Sequence, residues 1–158
     1  MINNYFYLGL ALFFIFVMQD IGSLKIAWLE VLQKQETFKI YSGLLLLAYL
    51  LAQFVIPYNK LCEIPYVTRE SSYNQHKQRG ALAPLFFFIH STTWGVAYLL
   101  LLSLIYFANF LVGLFNYERI KNPILRRRFF KSWLLLHITL AVVLMALVGF
   151  HLYVVVSY

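Results

Sequence analysis

The four histidines of the chain form two pairs with the same spacing. His76 and His90 are fourteen positions apart in QHKQRGALAPLFFFIH, and His137 and His151 are fourteen apart in HITLAVVLMALVGFH. On an α-helix, fourteen residues turn to within about 40° of four full turns and rise about 21 Å. The two histidines of a pair are therefore expected on nearly the same helix face, at two different depths.

This spacing indicates two separate sites and not one. A single metal ion held by one helix uses neighbours at positions i and i+4. Histidines fourteen apart suit two sites stacked along the helix axis, each with one imidazole from each of two helices. Two axial imidazoles from facing helices are how a bundle holds a b-type haem. We therefore predict haem b, two groups or at least one, with four axial iron ligands: His76, His90, His137 and His151.

Each histidine also has a structural interpretation. An ionisable group inside a membrane is costly and functional by default. It can instead donate a hydrogen bond to a carbonyl of a neighbouring helix and stabilise the bundle. His76 lies in a polar segment, where a solvated histidine needs no explanation, so this residue decides between two haems and one.

Composition and charge place the chain in a membrane. Of its 158 residues, 62% are apolar and 12% are charged, with a mean hydropathy of +0.73. Every charged residue falls in one of three windows, Asp20–Lys39, Tyr58–Arg79 and Asn116–Lys131. A helical crossing needs about 20 apolar residues, and the segments between the windows provide them. The fold class expected is an all-α integral membrane bundle that binds haem between its helices, as a single domain over residues 1–158.

The number of crossings depends on the stretch Gly80–Tyr117, which is long for one helix and short for two. The three charged windows carry net charges of 0, +2 and +5. A tight hairpin in this stretch places both basic windows on one side of the membrane, as the positive-inside rule requires. Of the 4–5 transmembrane helices expected, five are therefore favoured, with the N-terminus inside.

The remaining segments give coarser expectations. The first helix is predicted over Asn4–Met18 and another over Lys39–Ile56, while the connector 58–80 is predicted to be largely irregular because of Pro65 and its Ser/Asn cluster. Between the first two, Leu24, Ala27, Trp28 and Val31 share one side, which fits an interfacial amphipathic helix or an extension of its neighbours.

The only cysteine is Cys62, so an internal disulfide and a Cys-based metal or iron–sulfur site are excluded. A net charge of +7 in a membrane chain favours anionic lipid as a partner and argues against nucleic acid.

Haem propionates are anions and need cationic partners near the interface. The candidates lie beside the helix starts that carry His76 and His137. They are Lys77, Arg79, Arg126, Arg127, Arg128 and Lys131. Glycines would let a flat ring approach the backbone, and aromatic side chains would pack on it. The candidates for these roles are Gly80, Gly95, Gly149 and the run Phe86–Phe88. Trp94 and Trp133 fit either an interfacial aromatic belt or packing on a haem.

These motifs resemble the ferric reductase-like transmembrane domain, the family of NADPH oxidases, yeast-type metalloreductases and the haem subunit of bacterial methionine sulfoxide reductase systems. The likeness extends from Phe38 to His151. It rests on a helix start of the form HK…G with a second histidine fourteen positions on, on the basic and aromatic run RRRFFKSWLLLH, and on FVIP before the connector. The family usually has six helices. The resemblance implies two b haems, His76 pairing with His137 on the inner side and His90 with His151 on the outer side.

The expected function is electron transfer across the bilayer by a subunit of a larger oxidoreductase complex, not a complete enzyme. Electrons would enter from a quinol or a flavin/iron–sulfur partner and leave to an acceptor across the bilayer. Respiratory cytochrome b uses similar paired spacing, so the pattern leaves a quinol-oxidising relative open. The expected location is a bacterial or organellar inner membrane, where the chain is multi-pass. Two alternatives stay open: a non-redox anchor or assembly subunit with structural histidines, and a metal-ion transporter. The transporter is disfavoured because no acidic residue lies inside the membrane segments.

Overall fold

The computed structural model describes residues 4–22, 26–54, 66–115 and 120–157. Over these residues the chain is all-helical, with seven helices and no strand. They belong to two compact units, Met1–Thr93 and Trp94–Tyr158. The single haem-binding domain expected over residues 1–158 stays a prediction.

The first unit contains five helices. Their bounds are α1 (Asn4–Ile21), α2 (Ala27–Lys34), α3 (Glu36–Ala52), α4 (Tyr66–Ala81) and α5 (Ala83–His90). Helix α1 packs against α4 and α5, while α3 packs against α2 and α5. Phe16 of α1 is fully buried and meets Phe87 edge-to-face at 5.3 Å between ring centroids. Tyr49 of α3 stacks on Phe86 at 4.3 Å. Aromatic contacts from two sides therefore fix α5, the helix that ends in His90.

Helix α4 corrects the expectation of a largely irregular connector. Its sequence is polar, but it is helical from Tyr66 to Ala81. Contacts one turn apart support it: Arg79 donates to the Gln75 side chain at 3.3 Å, and the Lys77 ammonium lies 4.2 Å from the Tyr73 ring centroid. Packing against α1 then favours the helix over a solvated loop. The Cys62 position and the preceding part of the connector lie outside the described residues.

Helix α2 is present as a separate short helix. Its buried residue is Leu29, whereas Trp28 and Val31 of the expected apolar side are mostly exposed. Leu24 lies outside the described residues. The helix packs against α3, and its interfacial role stays a prediction.

The stretch Gly80–Tyr117 is interrupted between residues 91 and 97. Helix α5 ends at His90, and the next helix, α6, spans Tyr98–Leu114. Two residues between them have positive φ, Gly95 at 78° and Ala97 at 53°. A left-handed conformation is favourable at glycine and ends any continuous helix. The stretch is therefore not one long helix.

The second unit consists of α6 and the 35-residue helix α7 (Pro123–Ser157). The side chain of Asn122 caps α7 by accepting from the backbone N–H groups of Ile124 and Leu125 at 3.0 and 3.2 Å. Pro123 fits the first helical position because its missing N–H is not needed there. The helix includes the whole basic run from Arg126 to Lys131.

Helices α6 and α7 run antiparallel, as their end-to-end contacts require. Tyr98, at the start of α6, meets Phe150 near the end of α7 at 5.3 Å between ring centroids. At the other end, Phe115 meets Phe129 at 5.1 Å. Within the described residues, α7 is the one helix whose length and apolarity suffice for a membrane crossing. Residues Tyr5–Ile21 and Tyr98–Leu114 form shorter apolar helices.

Candidate functional site

His76 of α4 is held by the end of α3. Its Nδ1 lies 3.1 Å from the backbone carbonyl oxygen of Gln53. A carbonyl can only accept, so Nδ1 carries the proton and the lone pair of the neutral ring is on Nε2. Burial lowers the pKa of His76, the Gln53 carbonyl opposes this, and nearby Arg79 lowers the pKa further. Burial thus favours the neutral imidazole, and the hydrogen bond to the Gln53 carbonyl sets which ring nitrogen carries the proton.

His90, the last residue of α5, is held by the first half of α3. Its Nδ1 lies 3.1 Å from Ser42 Oγ, and Ser42 Oγ donates to the Lys39 carbonyl at 3.2 Å. Gly43 lies directly beside it, since a Cβ at Gly43 would be 3.2 Å from His90 Cε1. The glycine therefore lets the imidazole ring approach the backbone of α3.

Gln33 of α2 restrains the end of α5. Its side-chain amide donates to the carbonyls of Phe88 and Ile89 at 2.8 and 3.1 Å. The last carbonyls of a helix have no partner within the helix, so this amide acts as a cap from a neighbouring element. His90 follows immediately in the sequence and is positioned by it.

His137 of α7 lies between an aromatic ring and a glycine. The indole of Trp133 stacks on it at 5.7 Å with an interplanar angle of 6°. Trp133 Nε1 donates to the Val112 carbonyl at 2.7 Å, which ties the indole to α6. A Cβ at Gly113 would be 3.1 Å from His137 Cε1. The contact repeats in the second unit what Gly43 and His90 do in the first.

His151 lies near the start of α6. Its Nδ1 is 3.4 Å from the Tyr98 hydroxyl, and the two ring centroids are 6.1 Å apart. Because α7 is unbroken, His137 and His151 share one face of it to within about 40° and are about 21 Å apart along its axis.

His76 and His90 are also held at two different levels, but on two helices instead of one. A break at Leu82 divides α4 from α5, so the two histidines are not on one helix. Both contact α3, at Gln53 and Ser42, which are about 16 Å apart along its axis. Two histidines thus lie in each unit. The axial pairs that the family resemblance implies each combine one histidine from either unit, and this pairing stays a prediction.

The expected propionate partners differ in what they contact. Arg79 donates to the Ala52 carbonyl at 3.2 Å, beside the Gln53 carbonyl that holds His76. Lys77 lies over the Tyr73 ring. In the basic run, Arg126, Arg127 and Arg128 are all exposed on the first turns of α7.

Successive helical residues are rotated by 100°, so the three arginines point in different directions. Arg126 is within about 20° of the direction of His137, Arg127 is about 80° away, and Arg128 points to the opposite side. A partner on the face of His137 is therefore best served by Arg126. Lys131, about 120° from His137, shares the outward side with Arg127 and Arg128.

Gly43 and Gly113, which contact histidines, were not singled out from the sequence, while the role of Gly80, Gly95 and Gly149 beside a haem stays a prediction. A Cβ at Gly80 or Gly149 would meet nothing within 4 Å, while Gly95 is a positive-φ residue against Leu99. The sequence signal for Gly43 and Gly113 is only their position inside apolar runs, SGLLLL and FLVGLF, which carries no information on the facing histidine.

His76 and His90 each hold Nδ1 beside a protein oxygen, which suits residues that would bind a haem iron through Nε2. Nδ1–H bonding to a protein oxygen is the usual arrangement of a metal-bound histidine, and it fixes Nε2 as the ligating atom. Gly80 is one turn beyond His76, and its face of α4 offers space beside that imidazole. Within the described residues, no three His, Cys, Asp or Glu side chains cluster to hold a bare metal ion. Axial haem ligation does not need such a cluster, because the porphyrin supplies four of the iron ligands.

Comparison with family models, curated proteins and solved structures finds no match to this chain. The functional assignment therefore rests on the residues described above.

Proposed function

We propose that the chain is a membrane-embedded b-type cytochrome subunit that carries electrons across the bilayer. His76, His90, His137 and His151 would supply axial imidazoles to two haems. The observation that carries the proposal is that His76 and His90 both direct Nδ1 at oxygen atoms of α3. The carbonyl acceptor leaves the lone pair of the neutral His76 ring on Nε2, the atom that a haem iron requires, and the Ser42 hydroxyl can accept from His90 in the same way.

The chemistry of a bound b haem is reversible one-electron transfer at the iron. The protein residues orient and tune this group. Ser42 and the Gln53 carbonyl fix the imidazole tautomers, and Gly43 and Gly113 allow the rings to lie against a helix backbone. Trp133 fixes the plane of His137.

We propose five crossings. Four are formed by α1, α3, α6 and α7, and the fifth is a segment that begins at Gly80 and includes α5. Helix α5 alone spans about 12 Å, so its crossing includes residues on either side. The support is the apolar character of the segments between the charged windows, together with the long apolar helix α7. The setting would be a bacterial or organellar inner membrane.

Partners follow from the same chemistry. The cations at the start of α7 that point away from His137, which are Arg127, Arg128 and Lys131, would face anionic lipid head groups. A quinol or a flavin/iron–sulfur subunit would supply the electrons. The chain would then be the electron-transfer subunit of an oxidoreductase complex.

One observation favours a second candidate, a non-redox anchor or assembly subunit. The contacts of His76 with Gln53 and of His90 with Ser42 join two helices, which is what structural histidines do in a membrane bundle. In that case the imidazoles would stabilise the unit without binding iron.

A difference spectrum separates the two candidates. The chain is purified in detergent from cells supplied with haem precursor, and its dithionite-reduced spectrum is compared with the oxidised one. The cytochrome proposal predicts bands of bis-imidazole haem b, with two haems per chain by the pyridine haemochrome assay. His137→Ala and His151→Ala variants should each lose one haem. Folded, helical protein without any haem band would overturn the proposal and leave the anchor function.

A further inference from the structure

A two-step hydrogen-bond chain joins His90 to the backbone of α3 through Ser42. The hydroxyl of Ser42 has one proton, and the carbonyl of Lys39, 3.2 Å away, can only accept it. When the proton goes to that carbonyl, the hydroxyl oxygen can accept a hydrogen bond from the ring Nδ1 at 3.1 Å. In this arrangement the hydrogen-bond chain runs from His90 Nδ1–H to Ser42 Oγ–H to the Lys39 carbonyl.

We propose that Ser42 is a positioning residue that sets the tautomer and the basicity of His90 as an axial haem ligand. This inference rests on the proposed cytochrome function. A ligating histidine whose other N–H is hydrogen-bonded is a stronger electron donor to the metal. Ser42 would thereby stabilise the ferric state of the haem that His90 binds and lower its midpoint potential.

The surroundings of Ser42 support a positioning role and not mere space filling. Ser42 is buried, so its hydroxyl needs partners within the protein. The adjacent Gly43 lets the imidazole come within reach of that hydroxyl. Gln33 holds the carbonyls just before His90, so both the ring and its backbone are restrained.

His76 provides an internal parallel. Its Nδ1 donates to the Gln53 carbonyl, an acceptor whose role is unambiguous. The same helix therefore orients both histidines of the first unit, once through a backbone carbonyl and once through a hydroxyl. Only the hydroxyl can be removed by substitution, which makes Ser42 the testable half of the arrangement.

The test is a redox titration of haem-loaded Ser42→Ala and Ser42→Thr. We expect Ser42→Ala to keep its haem, to raise the midpoint potential of one haem and to shift one low-spin ferric EPR signal. Ser42→Thr keeps a hydroxyl and should restore the wild-type values. Ser103→Ala is the matched control. Ser103 is equally buried and its hydroxyl donates to the carbonyls of Trp94 and Leu99, but no hydrogen bond to a histidine is described for it.

A His90→Ala variant tests whether Ser42 acts through His90. In a His90→Ala chain that retains the other haem, adding Ser42→Ala should change neither the remaining potential nor its EPR signal, because the two residues act as one unit. If Ser42→Ala loses haem or fails to fold, Ser42→Cys keeps a weaker acceptor and should show an intermediate shift.

The outcomes separate the two proposals. Wild-type protein without haem would refute the cytochrome function. Haem-loaded Ser42→Ala, or its Cys replacement, with the wild-type potential and EPR signals would refute the role of Ser42 and leave the cytochrome function intact. An equal shift in Ser103→Ala would also refute it, because the effect would then be unspecific.

Discussion

The imidazole of His137 lies against the backbone of Gly113, close enough that a Cβ on that glycine would be 3.1 Å from His137 Cε1. In the first unit, Gly43 and His90 repeat the relationship at 3.2 Å. Such a distance is shorter than ordinary van der Waals contact between carbon atoms. Each unit thus contains one histidine whose ring position depends on a missing side chain in a facing helix.

Gly113→Ala should displace the His137 ring. In a helix, alanine is favoured over glycine by about 1 kcal/mol, but overpacking of this kind costs about 1–3 kcal/mol. We expect the free energy of unfolding, measured by denaturant titration in detergent, to fall or stay level. The control is Gly149→Ala in α7, where a Cβ would meet nothing within 4 Å. In this variant the free energy of unfolding should rise by the full helix preference of alanine over glycine. Equal gains in both variants would contradict the close packing at His137.

Gln33→Ala should weaken the first unit and loosen the end of α5. The substitution removes two hydrogen bonds to the Phe88 and Ile89 carbonyls, with an expected loss of about 1–3 kcal/mol. Hydrogen exchange at the amides of α5 should quicken along with the loss of stability. Gln35→Ala is the matched control, because Gln35 is exposed and no side-chain hydrogen bond is described for it. A Gln33 variant as stable as the Gln35 variant would show that the cap contributes nothing.

His76 should make the protein less stable in mild acid. Its pKa is below the usual 6.5 in the folded state, mainly because of burial. The unfolded chain therefore binds more protons between the lowered pKa and 6.5, and stability is lost as the pH falls through that window. We expect the unfolding free energy of the haem-free wild type to decline below pH 6.5, and that of haem-free His76→Gln to decline less. Parallel pH curves for the two proteins would exclude this contribution.

Arg126→Gln and Arg128→Gln should differ in their effect on haem. Helix α7 is unbroken, so Arg126 shares the face of His137 and Arg128 points away from it. We expect Arg126→Gln to lower haem retention during dilution, because a propionate loses a cationic partner. Arg128→Gln should leave haem retention unchanged and instead weaken binding to vesicles containing anionic lipid. If Arg128→Gln lowered haem retention and Arg126→Gln did not, the face of α7 on which an arginine lies would not decide its role.

Much of the fold was predictable because the chain divides sharply into charged and apolar segments. The apolar segments became α1, α3, α6 and α7, since backbone groups in such surroundings must satisfy one another within a helix. Helix α4 was not predictable in this way. Its polar sequence resembles a loop, and its helical state depends on contacts one turn apart and on packing against α1.

For the candidate site, the sequence by itself determined which side chains have the chemistry and how far apart they are along the chain. The spacing of His137 and His151 on one helix follows directly, because α7 has no residue that breaks it. Their neighbours were decided only by the tertiary structure. Ser42 is 48 residues from His90 and Gln33 is 55 residues from Phe88, and neither pair leaves a periodic signal in the sequence. Contacts between distant segments depend on how helices pack, so the residues that orient a histidine become visible only after the chain has folded.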